Sequence, residues 1–330
     1  MINDLTITQE DFASLSAFHS ASHIKLDWNL VFTLPEWLKV WWQNFGSGAE
    51  LYIRAVKYQG EVIGISPLQI RDGTASIIGS VNVCDYQDFI IAPGRENDFF
   101  KAILDDLIQK GIRNVNLETI RPDSKIVTHL VPLAQARGYK IDYRQVDVSA
   151  DLDLPSGWEE YLGILDGKQR HELRRKMRNL QEAGETAYYT IEDKSAIPEA
   201  TEKFLRLFPE SRSDKAQFMT MEMQIFFRSM AEAMGETGII RFGVLEILKK
   251  PVAMIIYFDY NNNIYLYNSA YDPAYKSMSV GIISKANSIQ ESIKKGKRKY
   301  DFLKGSEKYK YYLGGKEIPL YRCEILLNNP

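Results

Sequence analysis

The stretch Lys276-Ser277-Met278-Ser279-Val280-Gly281 sets small residues and a lysine where a strand-like run gives way to a long amphipathic segment. The first backbone N–H groups of a helix have no partner within it and carry the positive end of its dipole, so an anion that reaches them meets several donors at once. Ser277, Ser279 and Gly281 are small enough to admit an anion and Lys276 adds charge; a plain serine-capped helix would read the same way. A second concentration of chemistry is Lys168, Arg170, Arg174, Arg175, Lys176 and Arg178, with Glu172 as the one acid among them, and Arg212 and Lys215 follow in a polar loop. Such a face suits a phosphate-bearing ligand, because arginine binds phosphate in bidentate fashion, and it equally suits a solvated surface paired with acids from elsewhere. Asp85-Tyr86-Gln87-Asp88 joins two carboxylates and a phenol after a strand, either to orient the hydroxyls or amine of a ligand in a cleft or to bond the backbone of a polar turn. His19, His23, His129 and His171 show no metal-ligand spacing, and Cys84 and Cys323 are too few and too distant for a disulfide framework or a zinc site, so no metal is expected.

Rigid elements must hold these groups. Leu38, Trp41, Trp42 and Phe45 mark one face of a helix that stops at Gly46, with Pro35 in its first turn and Thr33 and Glu36 in capping-box spacing. Strands follow at 51–57, 62–70 and 74–79, joined at Gln59-Gly60 and Asp72-Gly73, pairs that tolerate the positive φ of tight hairpins. A short apolar run at 89–91, a helix over 95–110 ended by Gly111, a strand at 115–117, a helix near 125–137 and a strand near 139–148 complete a first lobe. The segment Asp151 to Gly157, with Pro155, Ser156 and Gly157, reads as a boundary, with Ser156 and Glu159 spaced as another capping box. Beyond it come helices at 167–182, 199–207 and 216–234, strands at 186–191, 239–247, 252–259 and 264–270 with turns at Lys249-Lys250 and Asn261 to Asn263, a helix at 279–295 and a strand at 300–303. Meander, polar loop, helix, glycine and short strand thus occur twice, which is an internal repeat of architecture rather than of residue identity. The expected fold is α/β, more closely α+β: two lobes, 1–152 and 153–330, each a mixed, largely antiparallel sheet flanked by helices.

At 330 residues and 45% hydrophobic, the chain is long enough for two such domains with cores of their own. Its 41 Lys and Arg nearly cancel 43 Asp and Glu, so nothing global points to DNA or an anionic membrane, and any such partner must be met locally. The stretch Met1 to Phe12 is polar rather than basic then apolar, and no apolar run approaches the length of a membrane span. A cytoplasmic location is the expectation.

The run from Asp272 through Gly281, the helix to Lys295, Gly296, and Tyr300-Asp301-Phe302-Leu303-Lys304-Gly305 to Lys310 resembles the CelD-like branch of the GNAT acyltransferases, and FemAB-type transferases share its outline. Pro35-Glu36-Trp37 with Trp41-Trp42, the Gly60 to Ser66 region and Asp85 to Asp88 resemble it too, so the likeness covers most of the chain. It implies tandem GNAT-like lobes and an N- or O-acyltransferase that takes an acyl group from acyl-CoA, acetyl-CoA or longer, to a small-molecule or glycan-type acceptor in cell-surface polysaccharide or envelope synthesis. It places the donor's pyrophosphate at Lys276, Ser277, Met278, Ser279, Val280 and Gly281, although the usual glycine-rich turn with its leading Arg or Gln is absent. Asp301 matches the Asp of the family's Tyr-Asp-Phe pattern and, with Tyr267 and Asp272, is a candidate for the proton transfers that acyl transfer requires. Asp85, Tyr86 and Asp88 are expected to touch the acceptor, and Arg174, Arg178 and Arg212 a phosphate-bearing ligand. Two alternatives stay open: a FemAB-like transferase whose aminoacyl donor is tRNA held by the basic helix, and a non-catalytic binding protein that has kept the double lobe and lost its donor.

Overall fold

The computed structural model describes residues 5–182 and 184–327; the first four residues of the stretch read above as free of a leader lie outside them. The chain forms two compact units, one running to Val148 and completed by the C-terminal stretch from Ile318, the other comprising Ser149–Glu317. The expected division after residue 152 lies near the first crossing. The second crossing has no counterpart in the sequence reading: the strand Lys316–Leu326, which contains Pro319, returns most of its length to the first unit.

In the first unit, strands Leu5–Glu10, Glu50–Tyr58, Glu61–Arg71 and Thr74–Ile77 lie side by side and antiparallel. Asn114–Ile120 pairs with Thr74–Ile77 in parallel, and the C-terminal strand adds antiparallel to Asn114–Ile120. Helix Glu96–Gln109 lays Phe99, Phe100, Ile103, Leu104 and Leu107 on Tyr52, Val56, Leu68 and Leu117 of this sheet, one apolar stripe at helical spacing on one apolar sheet face. Helix Pro35–Phe45 buries Trp37, Leu38 and Trp41. Its expected capping box does not form: Thr33 lies in the short turn Val31–Thr33, donates its hydroxyl back to the Leu30 carbonyl at 2.8 Å, and leaves Leu34 at the cap position. The Ser156 box is absent too, since Gly157 precedes helix Trp158–Ile164 and the Ser156 hydroxyl bonds Glu160 at 3.0 Å.

In the second unit the order is Thr186–Ile191, Ile240–Ile247, Lys250–Tyr260, Asn263–Tyr271, Lys299–Lys304 and then the end of strand Lys140–Asp153. Every neighbouring pair is antiparallel except Asn263–Tyr271 with Lys299–Lys304. Strand alternation sends Phe242, Phe258 and Tyr267 to one face, where Phe204 of helix Ile197–Ser211 and Phe227 of helix Met221–Glu236 meet them. Ile255 and Tyr257 face the other way, onto Ala286 and Ile289 of helix Val280–Lys294. The helix expected over 216–234 is two, Ser213–Phe218 and Met221–Glu236, the second opened by the Thr220 side chain accepting from the Met223 amide.

The repeat is plain in the turns. Gln59-Gly60, Asp72-Gly73, Leu248-Lys249 and Asn261-Asn262 all have positive φ at both residues, the twist that matches right-handed strands. Gln59 to Asp72 and Leu248 to Asn261 span the same number of residues, and the central strand between each pair of turns is 11 residues long in both units. The turn expected at Lys249-Lys250 falls one residue earlier because Lys250 already pairs with Ile247.

Candidate active site

Strands Asn263–Tyr271 and Lys299–Lys304 pair through Asn263, Ile264 and Tyr265 against Lys299, Tyr300 and Asp301, and the recorded pairing stops there. Two irregularities open the gap. Tyr267 is an extra residue opposite the step from Ile256 to Tyr257, a bulge that bends its strand. On the other side the register shifts between Asp301 and Lys304, where Leu303 sits at φ 61°. A parallel pair that parts after three residues exposes carbonyl and amide groups that a ligand can use.

Helix Val280–Lys294 begins at this gap. Asp272 starts the preceding turn Pro273–Met278 by accepting from the Ala274 amide at 2.9 Å, and the Lys250 ammonium at 2.9 Å holds its carboxyl below the usual range. That arrangement makes Asp272 a structural cap rather than a free base. Ser279 takes the left-handed conformation at φ 58°, its carbonyl receives the amides of Ile282 and Ile283, and its hydroxyl does not cap the helix. The amides of Val280 and Gly281 therefore precede the first intrahelical bond. Gly281 lies where a Cβ would come within 3.3 Å of the Tyr271 ring, so its small size serves packing as well as access. Lys276 and Ser277 are exposed. Lys176, on helix Gly167–Glu182, donates to the Ser279 hydroxyl at 3.3 Å. Two features that sequence reading treated separately, the helix start and the basic helix, meet at that bond.

Three further lysines crowd the parting strands, and the sequence reading singled out none of them for this place. Lys285, one turn into the helix, is 5% exposed, gives one hydrogen bond to the Gly281 carbonyl at 2.8 Å and lies 4.6 Å from the centre of the Tyr309 ring. Burial, reinforced by repulsion from Lys215, brings its amine down to about 7. Lys215 donates to the Ser269 carbonyl on one strand and sits 4.7 Å over Phe208; burial and Arg212 bring it down to about 8. Lys310, 1% exposed, donates to the carbonyls of Leu303, Lys304 and Gly305 and pairs with Glu307 at 2.9 Å, so it locks the end of the other strand. Lys285 carried a signal, since it interrupts the face that Val280, Ile283, Ala286 and Ile289 bury; Lys310 lies between tyrosines and gave none.

Asp301 is 3% exposed, beside the gap, and accepts from the Leu303 amide at 2.8 Å, a local turn that supports the positive φ of Leu303. Its first claim is on the backbone. Tyr267 is half-buried, its ring packed on Phe227 and Phe258. Of the basic residues, Arg174 pairs with Glu159 at 2.6 Å, Arg175 with Glu172 at 2.8 Å and Arg212 with Asp214 at 2.8 Å, while Arg178 is exposed and has no ion pair among the described residues. In the first unit Tyr86, Gln87 and Asp88 line a cleft of about 170 Å³ with Asp27, Arg121 and Lys125. Asp88 is committed there: it accepts from the amides of Phe89 at 2.9 Å and Lys125 at 3.0 Å, and burial nevertheless pushes its carboxyl up to about 6. Gln87 accepts from the Glu118 amide at 3.1 Å and Tyr86 is buried under Arg121, leaving Asp85 the more exposed of the two carboxylates. No group of three or more His, Cys, Asp or Glu is placed to hold a metal among the described residues, and none of their helices is long and apolar enough to cross a membrane.

Residues 167–311, spanning the parting strands and the helix between them, match the family model described as an acetyltransferase (GNAT) domain. The fold is of the GNAT type. Among solved structures, that of FemX aligns over 98% of both chains with a TM-score of 0.68 at 13% identity. The C-terminal domain assigned to a lysylphosphatidylglycerol synthetase from Agrobacterium fabrum aligns over 81% of both chains, with a TM-score of 0.56 at 11% identity. L-PGS from Bacillus licheniformis gives 0.55 at 12% identity over 88% of this chain and 91% of that one. No curated protein matches the sequence. In this GNAT-type frame the helix start at Ser279 follows the strand that parts from its parallel neighbour, and the first unit repeats the arrangement with helix Glu96–Gln109 between Thr74–Ile77 and Asn114–Ile120.

Proposed function

We propose that the chain is an acyltransferase that moves an acyl group from acyl-CoA to an amine or hydroxyl of a sugar or amino compound. The observation that carries this reading is the parted strand pair, with the amides of Val280 and Gly281, which precede the first intrahelical bond, and the Lys176–Ser279 contact at one end of the gap. Phosphates of a donor would rest on those amides between Lys176 and Lys276, and its acyl group would reach into the gap, where its carbonyl could be polarised by hydrogen bonds in place of the missing strand pairing. An acceptor amine attacks that carbonyl, the bond to the leaving thiolate breaks, and the proton lost by the amine balances the one the thiolate gains. Tyr267 is the candidate donor of that proton. Asp301, with one carboxylate oxygen bonded to the Leu303 amide, is the candidate to take the proton from the amine. The likeness to the CelD-like branch adds a glycan or envelope context for the acceptor.

A second reading, an aminoacyl group delivered by tRNA, is favoured by one observation: the basic helix that carries Lys176 continues outward with the exposed Arg178. The likeness to FemX supports it as well. Against it, helix Gly167–Glu182 runs within a few residues into strand Thr186–Ile191, leaving no room for the helical hairpin found in many FemAB proteins. Calorimetric titration with acetyl-CoA, a longer acyl-CoA and charged tRNA at low and high salt decides. Saturable binding of an acyl-CoA supports the first reading, and strongly salt-dependent binding of charged tRNA alone supports the second. If no donor binds, both fail and a non-catalytic role remains.

A further inference from the structure

The amines of Lys215 and Lys285 are short of negative charge. Neither has an ion pair among the described residues, and the acids whose charge reaches them, Asp214 at Lys215 and Glu307 at both, are bonded to Arg212 and Lys310. Each gives one N–H to a carbonyl, Lys285 to Gly281 and Lys215 to Ser269, and each lies over an aromatic ring, Tyr309 or Phe208. An ammonium has three donors, so each keeps two. Four N–H groups, carried by helices on opposite faces of the sheet, equal in number the lone-pair sites of one carboxylate. No arginine fork takes part, and the helix-start amides that suit a phosphate lie a turn away at Val280 and Gly281.

We propose that Lys215 and Lys285 form a receptor for a carboxylate carried by the acceptor, so that the acceptor is an acidic amine or hydroxy compound. This rests on the reading of the gap as the place where acceptor meets donor. Two neighbouring cations removed from water destabilise each other, and a bound carboxylate offsets both their repulsion and their lost hydration. The groups that face Lys285 are Lys215, with Arg212 and Asp214 beside it, on one side, and Glu307, Tyr309 and Lys310 on the other. On the same helix, Glu291 is turned away, its carboxylate bonded to Thr190, and Lys176 of the basic helix stops at Ser279. Because both amines are depressed towards neutrality when the receptor is empty, carboxylate binding takes up protons. Affinity is therefore strongest below the two midpoints and falls as pH rises through them.

The test is NMR on the full chain labelled at the lysine side chains, with the Lys285 signal assigned by its loss in Lys285→Met. Sodium acetate and inorganic phosphate are the two probes. Acetate is expected to raise the Lys285 midpoint by a unit or so, a tenfold change in proton affinity, and Lys215→Met, which removes two charged hydrogen bonds, is expected to weaken acetate binding at least about tenfold. The inference is overturned if acetate leaves the wild-type midpoint where it was, if phosphate moves it further than acetate does, or if Lys215→Met changes nothing. Acetyl-CoA titrated into wild type and Lys285→Met separates this from the broader reading. Donor binding without an acetate response refutes the receptor alone, and an acetate response without binding of any acyl-CoA refutes the acyl-CoA reading alone.

Discussion

Replacing Lys176 by methionine should weaken donor binding about tenfold. Its ammonium is 3.3 Å from the Ser279 hydroxyl and 3.8 Å from the Glu172 carboxylate, and its side chain is 21% exposed. A hydrogen bond to a charged group contributes roughly 1.5–3 kcal/mol. Partial exposure and the existing partner Glu172 put Lys176 at the lower end, and about 1.4 kcal/mol is a factor of ten in affinity. Methionine keeps the length and apolar stem, so the packing of the helix on Ser279 survives. Lys176→Arg should retain most of the affinity. The assay is calorimetry with whichever donor the wild type binds, at two salt concentrations: the variant should show both the weaker Kd and a shallower salt dependence. Arg178→Met, on the exposed side of the same helix, is the comparison. If donor binds the wild type and Lys176→Met leaves its Kd unchanged, the phosphates do not lie at this helix start.

Asp301→Asn should be close to wild type in urea unfolding, because an amide oxygen can still accept from Leu303, whereas Asp301→Ala should lose about 1–3 kcal/mol by orphaning that amide; equal losses would show that the charge, not the acceptor, matters. Gly243→Ala places a Cβ 2.2 Å from the Tyr188 hydroxyl and 2.8 Å from Ile255, an overpacking that should cost about 1–3 kcal/mol, partly recovered in the double variant with Tyr188→Phe; a neutral Gly243→Ala would refute the packing. Folding raises the Asp88 carboxyl from 3.8 to about 6, chiefly by burial. The native state then binds more protons in that interval, so this group's contribution to stability declines as pH rises from about 4 to 6. A carboxyl-carbon NMR titration should find its midpoint near 6, and a midpoint below 4 would contradict the burial argument.

The elements were legible wherever local chemistry and tertiary structure agree. Gln59-Gly60, Asp72-Gly73 and Asn261-Asn262 are turn pairs by residue type and by observed φ, and the amphipathic helices around Trp41, Phe99 and Ile283 follow their apolar spacing. Strand Lys316–Leu326 was not legible, because Pro319 breaks its pattern and its place depends on Asn114–Ile120, far earlier in the chain. The helix start at Lys276 to Gly281 could be read from residue types, since a helix start is local. The lysine cluster could not: Lys215, Lys285 and Lys310 come from three helices and gather only when two strands part. Asp301 was conspicuous by motif, yet sequence does not show that its carboxylate is bonded to the amide two residues on. Nor did composition reveal that Lys176, among so many cations, is the one that reaches Ser279.

The most direct test is amide NMR on the labelled chain titrated with acetyl-CoA. The largest shifts are expected at Val280 and Gly281, with smaller ones at Ser277 and Ser279, and all should diminish in Lys176→Met. Saturating shifts elsewhere, with Val280 and Gly281 unmoved, would contradict a donor site at this helix start.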